Sequence, residues 1–166
     1  MSIDIKALST RELFAAFVGV LDELRTRGII QSTNNPVADL SELLCVRALS
    51  LTRAPKSTKG YDAANNTGHK FEIKGRRLTA HNSSRQLSAF RALDQKHFTF
   101  LAGVLFREDF TVLRACLVPY QQVLKHATYR EHTNAWIFHL QDNVWEFPGV
   151  ADITRELQDA ERALQG

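Results

Sequence analysis

Residues Lys59 to Arg77 read KGYDAANNTGHKFEIKGRR, and the rest of the chain is organised around this stretch. Phenylalanine and isoleucine favour strands, and the Ala/Asn/Thr/Gly cluster at positions 64–68 separates two strand-like runs. Clusters of these small polar residues are typical of turns. The stretch therefore predicts a β-hairpin.

Side chains on the second strand of this hairpin should alternate between two faces. Phe71 and Ile73 would point into a core, whereas Glu72 and Lys74 would share the opposite face. Asp62 lies on the adjacent strand. Two carboxylates with a lysine beside them are the groups needed to hold a divalent metal ion and to place a water molecule against a phosphodiester.

Asp62 followed by the Glu-Ile-Lys run at 72–74 resembles the motif of the PD-(D/E)xK nuclease superfamily, which has the restriction-endonuclease-like fold. Tyr61 stands where the motif usually has proline. More loosely, segment 35–91 resembles small bacterial members of that superfamily. The shared order is a helix with an acidic residue, then Asp, then ExK, then a basic helix.

This resemblance implies an α/β fold: a three-layer sandwich in which a central mixed β-sheet is flanked by helices. It implies a Mg²⁺-dependent endonuclease, with Mn²⁺ as an alternative ion. Asp62, Glu72 and the carbonyl oxygen of Ile73 would bind the metal, and Lys74 would orient the attacking water. The family core needs a third strand, which we expect at 49–53 or 76–80.

A second helix is predicted from Asn35, the capping residue, and Pro36, at the first helical position, to about Leu51. In the resembling family, the helix before the first catalytic strand brings an acid to the metal site. Glu42 matches that position, with Asp39 next to it. Alternatively, both acids favour the first turns of the helix simply through its dipole.

Charge is distributed unevenly along the chain. The net charge of the 166 residues is +3, but segment 47–91 holds ten Lys/Arg and two acids, which gives +8 there and −5 elsewhere. The two acids are Asp62 and Glu72. A basic field around an acidic pair suits phosphate binding, although a basic run alone is also typical of a solvated surface. The predicted nucleic-acid contacts are Lys59, Arg76, Arg77 and Arg85.

The length predicts one domain, residues 1–166, in which an N-terminal and a C-terminal helix are additions to the nuclease-like core. No apolar run approaches the roughly 18–20 residues of a membrane span, and residues 1–10 lack the pattern of a signal peptide. Cys45 and Cys116 are widely spaced within apolar segments and are expected to be buried free thiols. A cytoplasmic location follows.

Further elements are predicted from capping and periodicity. Ser9 and Glu12 form a capping box at the start of an N-terminal scaffold helix. A helix is expected at 85–96, a buried strand at 98–106 that pairs with 110–118, and a short helix after Pro119. The remaining predictions are short strands at 136–140 and 144–147 and a final helix at 151–164.

The predicted partner is nucleic acid, DNA in preference to RNA. Because no separate recognition domain is evident, sequence specificity would require a partner, a homodimer or the loops. The alternative function is a nucleic-acid-binding or protein-interaction module without chemistry, since restriction-like folds can lose activity and persist. The joint presence of Asp62, Glu72 and Lys74 argues for the enzyme.

Overall fold

A computed structural model describes residues 4–32 and 35–165 of the chain. The helices are α1 Thr10–Thr26, α2 Pro36–Ala48, α3 Tyr120–His126 and α4 Thr154–Arg162. The strands are β1 Thr52–Arg53, β2 Ala63–Ala64, β3 Lys70–Arg77, β4 Phe100–Phe106, β5 Val112–Pro119, β6 Thr128–Arg130, β7 Ala135–Ile137 and β8 Ala151–Asp152.

Six strands form one mixed sheet in the order β1-β2-β3-β4-β5-β8. The β3–β4 pair is parallel, and the other four pairs are antiparallel. Strands β6 and β7 form a separate antiparallel ribbon. The protein is therefore an α/β protein with a central mixed sheet, which confirms the predicted class.

Strand β4 lies at the centre of the sheet, and its residues from Leu101 to Phe106 are all buried. Val104 and Phe106 pack on the side of α2 and α4, whereas Leu101 and Leu105 pack on the side of α3 and the β6–β7 ribbon. The continuous apolar run predicted at 98–106 thus forms a strand buried on both faces, as expected for the middle layer of three.

The predicted hairpin is confirmed, with β2 paired antiparallel to β3 through Ala63 and Phe71. A third strand lies at Thr52–Arg53, the first of the two positions expected for it, and pairs with β2. Strands β1, β2 and β3 therefore form a meander next to α2. Only two residues of β2 pair with β3, so the edge of β3 beyond Phe71 pairs with no strand in the described chain.

The predicted helix at 85–96 is wrong. Its first part, residues 85–90, is extended and pairs antiparallel with the chain around β7: Leu87 N–H donates to the Phe138 carbonyl at 3.0 Å, and Phe90 and Trp136 exchange two 2.9 Å bonds. The apolar residues whose spacing suggested a helix are instead buried side chains on a non-helical backbone. Of the predicted helix, Leu93–Gln95 forms one 3₁₀ turn.

Several boundaries also differ from the prediction. Segment 144–147 is not a strand, because Asp142–Glu146 forms a 3₁₀ helix. The strand predicted at 136–140 is β7, which ends at Ile137. The final helix begins only at Thr154, since Ala151–Asp152 pairs with β5 as β8. The second helix ends at Ala48 rather than Leu51, and Leu51 packs under the hairpin.

Helix α1 begins with the predicted capping box: Glu12 N–H donates to Ser9 Oγ at 3.4 Å, and Ser9 N–H donates to Glu12 Oε2 at 2.8 Å. The scaffold helix predicted here forms, but Leu21 is its one buried residue, so most of its apolar side chains are exposed. Cys45 and Cys116 are free and buried, as predicted. In the described chain no helix combines the length and apolarity needed to cross a membrane.

Candidate active site

Glu72 and Lys74 lie on one face of β3, as the alternation of a strand requires. Glu72 Oε1 is 3.2 Å from Lys74 Nζ, and the two side chains are only 19% and 11% exposed. Their strand is held in register by parallel pairing with β4, where Glu72 faces Leu101 and Lys74 faces Gly103. The pair is therefore rigidly placed and largely shielded from water.

The extended segment that replaces the predicted helix covers Lys74. Its ammonium donates to Ser88 Oγ at 3.1 Å and to the Ala89 carbonyl at 3.5 Å, and it lies 4.6 Å from the centroid of the Phe90 ring. The predicted helix at 85–96 contains both Ser88 and Phe90, and the sequence gave neither residue a role at the site. Their contacts depend on the long-range pairing of this segment, for which the local sequence carries no signal.

Asp62 lies immediately before β2. Its backbone N–H donates to the Phe71 carbonyl at 2.8 Å, and its carboxylate Oδ2 accepts the Ile73 N–H at 2.7 Å. The Asp62 side chain thus adds one hydrogen bond to β3 beyond the two residues of β2 that pair with it. This bond fixes the carboxylate at the open edge of β3.

The carbonyl of Ile73 leaves the strand on that same edge, because the N–H and C=O of one strand residue point to the same neighbour. The even-numbered residues point the other way, as shown by the 2.8 Å bond from Thr99 N–H to the Lys70 carbonyl beside β4. The resemblance assigned three oxygen donors: Asp62, Glu72 and the Ile73 carbonyl. Asp62 and the carbonyl share this edge, whereas Glu72 lies on the adjoining face.

Burial raises the pKa of Asp62 to about 6, and the charge of Glu72 and, less strongly, of Glu42 adds to this. The hydrogen bond from Ile73 N–H and the charge of Lys74 act in the opposite direction. Two neighbouring carboxylates thus add to the effect of burial on Asp62. A buried carboxylate that resists losing its proton is a group that a cation would stabilise.

Glu42 reaches the site from α2. Its Oε1 is 3.0 Å from Nε of Arg53, on β1. Burial raises the pKa of Glu42, while the charge of Arg53 lowers it. The sequence analysis gave Arg53 no role at the site, and the structure makes it the partner of Glu42. Asp39 instead accepts the backbone N–H groups of Gln31 and Ser32 at 2.9 and 3.0 Å, so it organises the chain before α2.

The donor chemistry at this site is that of a hard divalent cation, since carboxylate and carbonyl oxygens are the ligands of Mg²⁺. Within residues 4–32 and 35–165, however, no three His, Cys, Asp or Glu side chains are gathered as a ready metal centre. The fit to Mg²⁺ therefore depends on two carboxylates and a backbone carbonyl, with waters or phosphate oxygens completing the shell, as this ion commonly binds.

The four predicted nucleic-acid contacts lie in different surroundings. Arg76 shares the face of Lys74 and donates from Nε to the Ser84 carbonyl at 3.0 Å. Arg77 lies on the other face, 4.4 Å from the centroid of Phe110. Lys59 is exposed in the loop between β1 and β2. Arg85 donates to Asp142 at 2.6 Å, so its charge is already paired.

Two grooves approach the candidate site. The larger, of about 570 Å³, follows the open edge of β3, and the second, of about 490 Å³, lies between α2 and the β1–β2 loop. Lys74, Arg76, Arg77, Asn82 and Gln86 line the first groove, and Glu42, Arg53, Lys56, Tyr61 and Asp62 line the second. Basic side chains thus line both grooves, and the second groove also contains the carboxylates of Glu42 and Asp62.

No protein-family model and no curated protein sequence matches the chain.

Proposed function

We propose that this protein is a metal-dependent endonuclease that hydrolyses phosphodiester bonds in DNA. The observation that carries the proposal is the environment of Asp62. Its carboxylate is fixed on Ile73 N–H at 2.7 Å, and burial with Glu72 nearby raises its pKa to about 6. Basic side chains line the two grooves beside Asp62 and Lys74, which suits a cation and a phosphodiester together.

The residues divide into two roles. Asp62, Glu72 and the Ile73 carbonyl would hold Mg²⁺ or Mn²⁺, with Glu42 placed for a second ion or its water. The ion, when bound, supplies acidification of the attacking water and neutralisation of charge on the scissile phosphate. Lys74 would orient the water and offset the negative charge that develops on the phosphate. Arg76 and Arg77 border the groove in which flanking phosphates would lie.

The fold supports a restriction-endonuclease-like assignment in part of its order. Helix α2, the β1–β2–β3 meander and the parallel β3–β4 pair follow the order of that core. The departure lies between β3 and β4, where the family has a helix and this chain has the extended segment that covers Lys74. The proposal therefore depends on the site itself more than on the connection that follows it.

The test is incubation of plasmid DNA, and separately of RNA, with the full chain in Mg²⁺, Mn²⁺ or EDTA. We expect cleavage of DNA with either metal and none in EDTA. Lys74→Ala should lose activity by about 10²-fold or more, the size typical of a lost charge-stabilising group. Lys125→Ala, an exposed lysine on α3, is the matched control and should cleave as the wild type does. Metal-dependent cleavage that survives Lys74→Ala would contradict the assigned site.

One observation favours the alternative, a binding module without chemistry. Lys74 already contacts Glu72, Ser88, Ala89 and Phe90, and an ion pair closed in this way is also what a purely structural role requires. Such a module would bind nucleic acid, or a protein, with no metal-dependent cleavage. Salt-sensitive binding to DNA without cleavage by any metal would favour this alternative over the nuclease.

A further inference from the structure

We propose that the apolar face of α1 is a dimerisation surface, on which α1 of a second copy of this chain packs antiparallel. The α1 face is defined as Leu13, Phe14, Phe17, Val18 and Val20. The proposal does not depend on the nuclease assignment, because α1 lies outside the candidate site.

The first part of α1 stands clear of the rest of the protein. Every residue from Thr10 to Val20 is exposed, and the helix is anchored only beyond that point, where Leu21 and Ile30 are buried. Phe14 and Phe17 are 69% and 61% exposed. The apolar spacing that predicted a packed helix is thus real, but the described chain does not cover it.

The size of the α1 face suits an interface. A phenylalanine side chain buries about 150–250 Å² when it is fully covered, and the largest apolar patch of a monomer is usually about 300–600 Å². Two phenylalanines, a leucine and two valines approach or exceed that limit in one copy. Two such faces bury roughly 1,000 Å² or more together, near the lower bound for specific association.

The charge of α1 argues for a protein partner over a lipid or nucleic-acid surface. Its sequence TRELFAAFVGVLDELRT contains two arginines and three acids, so the helix carries a net charge of −1. Helices that lie on anionic membranes are rich in Lys and Arg on their polar face. Phosphate-rich surfaces require the same positive charge.

The charge pattern also favours a second copy in the antiparallel direction. Arg11 and Asp22 lie eleven residues apart, close to three helical turns, so they share one flank of the α1 face at opposite ends. In an antiparallel pair, Arg11 of each copy would meet Asp22 of the other. Parallel pairing would offer no such match, and antiparallel helix dipoles attract each other as well.

The opposite flank fits the same register. Leu13 and Val20 have the same mean position along the helix as Arg11 and Asp22, so the alignment that joins the charges also sets Leu13 of one copy against Val20 of the other. Asp22 is half exposed in the structure and pairs with Arg25 at 3.1 Å. An exposed pair of this kind is worth little and can exchange partners.

The experiment is sedimentation velocity of the full chain over a micromolar concentration series. The wild type should be a dimer, and Phe14→Asp or Phe17→Asp should make it monomeric. Gly19→Asp is the matched control: it adds the same charge to the same helix on the far side, where a Cβ meets no atom within 4 Å, and it should stay dimeric. Circular dichroism confirms that each variant keeps its helices.

A charge exchange tests the direction of pairing. Arg11→Glu and Asp22→Arg should each weaken the dimer about tenfold, because each replaces two symmetric attractions with repulsions. The double variant Arg11→Glu/Asp22→Arg should recover most of the wild-type affinity. A monomeric wild type, a dimer that persists in Phe17→Asp, or a double variant no better than the single ones would overturn the proposal.

Discussion

Asp62 and Asp142 are both aspartates near basic side chains, yet their surroundings have opposite effects. Asp142 is 71% exposed and accepts hydrogen bonds from Arg85 at 2.6 Å and Arg114 at 2.9 Å. These bonds lower the pKa of Asp142 below its ordinary range. Burial and the charge of Glu72 instead raise the pKa of Asp62 to about 6.

The difference shows which of the two carboxylates is not already neutralised by arginine or lysine side chains. Asp142 is already paired with two arginines, and through these ion pairs it joins Arg85 to Arg114, which lie far apart in the chain. Asp62 accepts one backbone N–H, and of the three charged groups that act on its pKa, Glu72 and Glu42 raise it and Lys74 lowers it. A site for a cation is expected where carboxylates lie near one another without enough protein cations, so the comparison favours Asp62 as the proposed cation site and assigns Asp142 to a structural ion pair.

The largest expected effect is on cleavage. Asp62→Asn should reduce metal-dependent cleavage of plasmid DNA by about 10³-fold or more, since it removes a proposed metal ligand. Asp142→Asn should stay within about twofold of the wild type, because it only releases two arginines at the surface. Initial rates at saturating Mg²⁺ measure both. Equal losses in the two variants would break the distinction between the two aspartates.

The second effect is on stability without metal. The folded pKa of Asp62 lies above that of the unfolded chain, about 3.9, so between the two values the folded state holds a proton that the unfolded state has released. Stability should therefore fall as the pH rises from about 4 to about 6. Asp62→Asn should gain about 1–3 kcal/mol at pH 8 and lose most of this advantage below pH 4.

Urea unfolding in EDTA at pH 4 and pH 8 measures this difference. Asp142→Asn is the comparison variant, and it should show no gain at pH 8 because its carboxylate is stabilised in the folded state. An Asp62→Asn protein less stable than the wild type at pH 8 would mean that the carboxylate is needed structurally on Ile73 N–H.

The third effect is stabilisation by Mg²⁺. A ligand at ten times its Kd stabilises the folded state by about 1.4 kcal/mol. The wild type and Asp142→Asn should both gain this amount as Mg²⁺ is titrated, whereas Asp62→Asn should gain little. The measurement is the melting temperature against Mg²⁺, with a matched ionic-strength series of NaCl as the control.

The smallest effect separates two arginines. Arg76→Ala should flatten the salt dependence of DNA binding by about one unit of log Kd against log salt, the loss of one phosphate contact. Arg85→Ala should change it less, because Asp142 already holds that guanidinium. Fluorescence titrations on one duplex and one single strand at several salt concentrations provide the slopes. A larger change for Arg85 than for Arg76 would reverse this ranking.

Much of the site follows from local rules. The alternation of a strand is enough to place Glu72 and Lys74 on one face and Phe71 on the other. The pKa of Asp62 rises chiefly through burial and the charge of Glu72, and only weakly through Glu42 on the preceding helix. The segment after the hairpin was mispredicted because its apolar side chains recur at a helical spacing, while its backbone groups bond to the chain around β7.

Local sequence specifies the elements whose hydrogen bonds are local: the capping box of Ser9 and Glu12, the helix start at Pro36, and the turn between β2 and β3. The other features of the site depend on long-range packing. Such packing produces the hydrogen bond from Ile73 N–H to Asp62, the contact of Phe90 with Lys74 and the ion pair of Arg85 with Asp142. It also leaves the α1 face exposed. These contacts depend on groups far apart in the chain. Local periodicity shows that a helix face is apolar, but it does not show which part of the molecule covers that face.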